Sequence, residues 1–237
     1  MVDPRLVPLR DLFASYARPA GPAGSGGPGV PGEVRSIAVV GNAPMVPSPA
    51  RAATIDGCDL VLRTNSFVLD QPGGDPVAGR RTSVVLWGRM VRATPSSFAD
   101  YPSRLYVLLE PMRMFHRPEV WPGSWPADLG LVVARNDAVA VPLLEELGVP
   151  WREEGIAPTT GTTAAWLARV LFPEAQVHLT GLSYVADPSP ERWDYQSGAR
   201  GRIGPEHRIS AEGALLQRWW KDGQVRFWPT DSEEEAA

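Results

Sequence analysis

Three groups of polar residues have the types and the spacing to do chemistry. The first is HRISAE, residues 207–212, which sets a histidine and a glutamate five positions apart. A nearby helix N-terminus favours neutral imidazole, the form that can take a proton from a hydroxyl. Five residues along one continuous helix would leave the two side chains roughly 140° apart. A shared site therefore needs His207 in a loop and Glu212 in the first turn of a following helix, as an N-cap at Ser210 would provide. The same histidine fits an ordinary solvated loop equally well.

The second group is APTTGTTAAW, residues 157–166, where Thr159, Thr160 and Gly161 stand at the entry to an expected helix. Backbone N–H groups at a helix N-terminus carry partial positive charge and receive anionic or carbonyl oxygens, so the segment is a candidate nucleotide cradle. Plain helix capping by Thr159 or Thr160 explains it as well. The third group comprises two strand ends, IAVVGNAP (37–44) and DLVLRTNSF (59–67). Gly41 allows a turn without Cβ conflict, and Asn42, Arg63, Thr64 and Asn65 are expected to project into one crevice beyond the strands. Paired asparagine amides supply donors and acceptors for a ribose, a base edge or a phosphate without adding charge. An ordinary strand-to-loop turn is the competing explanation. With a single glycine after the first strand, this is not the dinucleotide-binding fingerprint.

Positioning these groups calls for an α/β sheet covered on both faces. Nearly continuous apolar runs predict strands at 36–41, 59–64, 82–87, 104–109, 130–134, 176–181 and 224–228. Helices are expected at PARAATID, capped by Ser48 with Pro49 in its first turn, at AVPLLEELG ending at Gly148, and at TTGTTAAWLARVLF ending before Pro173. A last helix, EGALLQRWWKDG, should stop at Gly223. Trp219, Trp220 and His178 read as packing residues. His116, Trp121 and Trp125 fall in a loop stretch that suits solvent, a lid or an acceptor surface.

The 237 residues, 43% of them apolar, suffice for one sizeable core. Residues 1–33 read as an extension and a linker, with one amphipathic helix, VPLRDLFASYA, expected to dock on the same chain or on the partner subunit of a homodimer. Residues 19–32 are dominated by Pro and Gly. A single domain is expected over 34–230, followed by a solvated acidic tail at 231–237. The net charge of −4 gives no general attraction for polyanions, so no nucleic-acid partner is expected. Cys58, the one cysteine, has no disulfide partner in the chain, which suits a cytoplasmic location, and its thiol reads as packing. The start MVDPRLVPLRDLF lacks the pattern of a leader, and no run approaches the roughly 18 apolar residues of a membrane span, so no membrane association is expected.

In this order, the segments resemble the motifs of the animal-type sialyltransferases, glycosyltransferase family 29. IAVVGNAP with IDGCDLVLRTNSF is similar to the family's large motif, and APTTGTTAAWLARVLFPEAQVHLTGLSY to its small motif. His207 and Glu212 match its very short motif, a His with Glu five residues later, and the resemblance spans residues 36–228.

The resemblance implies a Rossmann-like, three-layer α/β/α fold, a variant of the GT-A transferase fold with a mostly parallel sheet. It implies that Asn42 and Asn65 contact a cytidine nucleotide, that Thr159, Thr160 and Gly161 complete the pocket, and that His207 is the catalytic base. The implied reaction inverts the anomeric centre without a metal or other cofactor, moving a sialic acid or related acidic sugar from a CMP-linked donor to an acceptor hydroxyl. Some features depart from the family. GNAP stands where a small polar residue and a second glycine are usual. RWDYQ (192–196) lacks the histidine of the aromatic third motif, leaving Arg192 or Tyr195 to stabilise the departing phosphate. The cysteine pair of the Golgi enzymes is absent. A different nucleotide sugar, such as a UDP-sugar, with a pyrimidine base or nucleoside as acceptor, is the alternative; a non-catalytic nucleotide- or glycan-binding protein is a third reading.

Overall fold

The computed structural model describes residues 2–18, 33–88, 93–109, 125–187 and 192–236. Its centre is a seven-stranded sheet. The strands are β1 (Ser36–Val40), β2 (Leu60–Thr64), β3 (Val84–Trp87), β4 (Leu105–Leu108), β5 (Leu131–Val133), β6 (Gln176–Thr180) and β9 (Arg226–Trp228), in the order β5-β4-β3-β2-β1-β6-β9. Every pairing in it is parallel. The seven expected strands are all present, trimmed by a residue or two at their ends. A separate antiparallel hairpin, β7 (Arg192–Asp194) with β8 (Arg200–Arg202), was not foreseen as strands.

The apolar runs are continuous because both sheet faces are covered. Ile37, Val39, Leu60, Leu62, Val84, Leu86, Leu105 and Val107 point into the main core. The intervening Ala38, Val40 and Val61 join a second cluster, and Val85, Trp87, Tyr106 and Leu108 a third. Successive strand residues point to opposite faces, so each run serves two layers at once.

Among the described residues seven α-helices flank the sheet: α1 (Val7–Ser15), α2 (Pro49–Gly57), α3 (Pro95–Phe98), α4 (Ala140–Leu147), α5 (Trp151–Glu154), α6 (Thr160–Leu171) and α7 (Ile209–Lys221). Ser48 caps α2 by accepting the Arg51 N–H, and Pro49 opens it, as expected. Gly148 ends α4 with φ +67°, a conformation that favours glycine. The helix α1 docks on its own chain: Phe13 and the preceding Leu6 lie in the main core. Trp219 is buried there, with the Arg169 guanidinium 4.1 Å from its ring centre, while Trp220 packs on Phe227 at 5.6 Å.

Some expectations need correction. Ser210 is not the N-cap of α7: the helix starts at Ile209 with Arg208 in the cap position, and Ser210 lies exposed in the first turn. Arg208 makes no side-chain cap bond; its guanidinium instead reaches Pro205 O and Glu154. The acidic segment at the C-terminus does not trail into solvent. Ala236 N–H donates to Phe227 O at 2.8 Å, and the fully buried Arg51 donates to the carbonyls of Pro229 and Ser232. The charged side chains stay in water while the backbone is strapped down. Trp125, half-buried, stacks on Trp87 at 4.9 Å and packs against the third core cluster. The linker 19–32, His116 and Trp121 lie outside the described residues.

Candidate functional site

The strand order reverses at β1. From β1 the chain runs outward through β2, β3, β4 and β5, then returns to place β6 and β9 on β1's other side. A crevice opens at such a switch point beyond the carboxyl ends of the strands, because the flanking connections diverge to opposite faces. A cavity of about 570 Å³ occupies that place. Gly41 at the end of β1 is in backbone contact with Gly181, which follows β6 and lines the cavity. A Cβ on Gly41 would sit 2.1 Å from Gly181 O, and Gly181 itself has φ +68°. The glycine at position 41 is thus required by close approach of two strand ends.

Asn42, Asn65, Thr159, Thr160, Gly161, Tyr195 and His207 all line the cavity. The Asn42 amide donates to Ser66 Oγ at 3.4 Å, which joins the two strand ends. Asn65 adopts the left-handed region, φ 47°, where asparagine is tolerated better than most residues, and its Oδ1 accepts the Gly88 N–H at 3.0 Å. That bond leaves the amide nitrogen as the group available to a ligand. Thr159 is the N-cap of α6 and accepts the Thr162 N–H. Gly161 in the first turn leaves room that a Cβ would fill, 2.6 Å from Leu182 Cδ2 and 2.8 Å from the Tyr184 hydroxyl.

His207 sits in the loop just before α7. Its Nδ1 lies 2.8 Å from Ala157 O. A carbonyl only accepts, so Nδ1 carries the proton and Nε2 is left as the basic, accepting nitrogen. Glu206 Oε1 lies 4.0 Å from Nε2. Glu212 lies in the first turn of α7 but does not line the cavity. It is fully buried; Oε2 accepts the Thr159 N–H at 2.9 Å and its hydroxyl at 2.6 Å, while Oε1 has no partner. Burial holds this carboxyl above the ordinary range for a glutamate, against the lowering effect of the threonine bonds. Tyr184, bonded to the Thr159 and Thr162 hydroxyls, extends the network to the cavity wall, and burial raises its phenol.

Two expected residues are elsewhere. Arg63 belongs to the sheet face opposite the main core. Its guanidinium, buried and pushed down to about 10 by that burial, donates to Arg81 O, Thr82 Oγ1 and Ala78 O, holding the 65–83 connection. The alternation along β2 takes it away from the crevice, whereas Thr64 lines it. Arg192 is exposed on the hairpin, paired with Asp194 at 3.3 Å, and does not line the cavity.

Sequence reasoning missed Ser66, Asn136, Ser183, Tyr184, Arg202 and Glu206, all on the cavity wall. Asn136 and Ser183 follow β5 and β6 as Asn42 and Asn65 follow β1 and β2, so the strand-end rule could have found them. Glu206 is the neighbour of His207. Arg202 had no signal, since it arrives on a hairpin that periodicity did not reveal.

No protein-family model matches the chain, and neither does any curated protein. Among solved structures it is similar to a mammalian sialyltransferase in complex with Gal-beta-1-3GalNAc-ortho-nitrophenol, with TM-score 0.52 and 18% identity over 84% of this chain and 70% of the other. A second mammalian sialyltransferase structure matches over the same shares at TM-score 0.48 and 17% identity. The fold is therefore the Rossmann-like α/β architecture found in sialyltransferases, a GT-A-type arrangement.

Proposed function

We propose that this chain is an inverting glycosyltransferase that moves a sialic acid or related acidic sugar from a CMP-linked donor to an acceptor hydroxyl, without a metal. The observation that carries the reading is His207: Ala157 O fixes its tautomer so that a basic Nε2 is left on a residue lining the same cavity as the strand ends and the α6 N-terminus. In the proposed step the acceptor oxygen attacks the anomeric carbon as its proton passes to Nε2 of His207. The bond from that carbon to the phosphate oxygen breaks, its electron pair leaving with CMP. Asn42, Asn65 and the Thr159–Gly161 turn hold the nucleotide. Likeness of fold supports the class of reaction, and the convergence of the expected residues on one cavity supports the use of this site.

Calorimetric titration of CMP, CDP, UMP, UDP and GDP into the full chain without added metal tests the donor. Selective binding of CMP is expected; preference for UDP would make the donor a UDP-sugar, and no binding at all would remove the nucleotide site. His207→Ala should abolish transfer while sparing CMP binding.

A further inference from the structure

Among the described residues the cavity wall carries two carboxylates, Asp194 and Glu206, and a single Lys or Arg, Arg202. Arg202 lies on β8, five residues before His207. The hairpin register sets Arg192 opposite Arg202 and Asp194 opposite Arg200, so all four charged residues stand on one face of the hairpin. On that face Asp194 is taken twice, by Arg192 at 3.3 Å and by Arg200 at 3.4 Å. Arg202 makes no hydrogen bond or ion pair among the described residues and is exposed at the cavity edge. The hairpin thus has three cations for one carboxylate, and the unpaired cation is the one on the cavity wall. The inner residue, Trp193, anchors the hairpin against Tyr184 at 5.9 Å.

From this arrangement we infer that Arg202 is the phosphate-binding cation of the site, contacting the phosphate of the nucleotide and neutralising the charge that grows there as the sugar departs. The inference rests on the nucleotide reading above. The phosphodiester of the donor carries one negative charge, and the phosphomonoester that leaves gains another; a guanidinium provides paired N–H donors matched to such oxygens. The role expected of Arg192 or Tyr195 from sequence passes to a residue that reaches the wall and has a free charge.

Calorimetry with CMP and with cytidine, on the full chain and without metal, reads this contact directly. The wild type should bind CMP more tightly than cytidine. Arg202→Gln should lower CMP affinity by on the order of tenfold or more while leaving cytidine affinity unchanged, Arg202→Lys should keep part of the preference, and Arg200→Gln should behave as wild type. Unchanged CMP binding in Arg202→Gln overturns the inference. So does an equal loss in Arg200→Gln, which would reflect the general field of the hairpin. A wild type that binds cytidine and CMP equally removes the phosphate contact alone; one that binds neither removes the nucleotide reading and this inference with it.

Discussion

Glu212 accepts both the backbone N–H and the hydroxyl of Thr159, at 2.9 and 2.6 Å, so the first turn of α7 is bolted to the N-cap of α6. The glutamate that resemblance places beside the histidine works behind the cavity wall, one residue removed from any ligand. Glu212→Ala would leave the buried Thr159 N–H without its acceptor and remove one partner of the Thr159 hydroxyl. It should lower unfolding free energy by about 1–3 kcal/mol in urea titration and weaken nucleotide binding in step.

A buried carboxyl held above its ordinary range also sets a pH dependence. The folded chain keeps the Glu212 proton to higher pH than the unfolded chain does, so the folded state binds more protons in that window. Its contribution to stability is fully present below the unfolded value of 4.5 and is lost as pH rises through the folded value. Glu212→Gln, which keeps a carbonyl acceptor for Thr159, should remove that loss. Thermal unfolding of the two proteins from acid to neutral pH should diverge, with the variant gaining relative to wild type as pH rises.

The contact between the ends of β1 and β6 predicts intolerance at Gly41. An added methyl meets backbone, 2.1 Å from Gly181 O, and backbone cannot swing aside. Gly41→Ala should cost about 1–3 kcal/mol, seen as a lower melting temperature, and should spoil CMP binding even in molecules that stay folded. Gly57, where a Cβ meets nothing within 4 Å, is the matched control.

Arg51 joins the Val46 and Val77 carbonyls to those of Pro229 and Ser232. Truncation after Thr230 should therefore destabilise the loop that follows β1, despite removing a segment that is mostly acidic and exposed. A loss of about 1–3 kcal/mol is expected, with raised hydrogen exchange at residues 42–48.

Cys58 is 3% exposed and its Sγ donates to Thr54 O at 3.3 Å. Burial pushes the thiol up to about 11. A thiolate reagent at pH 8 should label the native chain far more slowly than the chain in denaturant; rapid native labelling would contradict the packing role.

Sheet and helices were legible in the sequence because local physics sets them. Strands buried on both faces need unbroken apolar runs, α2 needs its Ser48 cap, and α4 needs Gly148 beyond its end. The rule of strand ends pointed to Asn42 and Asn65, and the helix N-terminus to the Thr159 turn, and all of them line one cavity. Side-chain direction and partner choice were a different matter. Arg63 is one residue from Thr64, yet the alternation of the strand sends its guanidinium to the other layer. Glu212 looks catalytic by spacing but is sealed behind Thr159. Arg202, without any motif, has no ion pair among the described residues, while Asp194 is bound to two other arginines. Hydrophobic periodicity and capping are local and written in order along the chain. Which charges are paired, and which groups share a cavity, depends on residues far apart in sequence, and only the tertiary structure decides it.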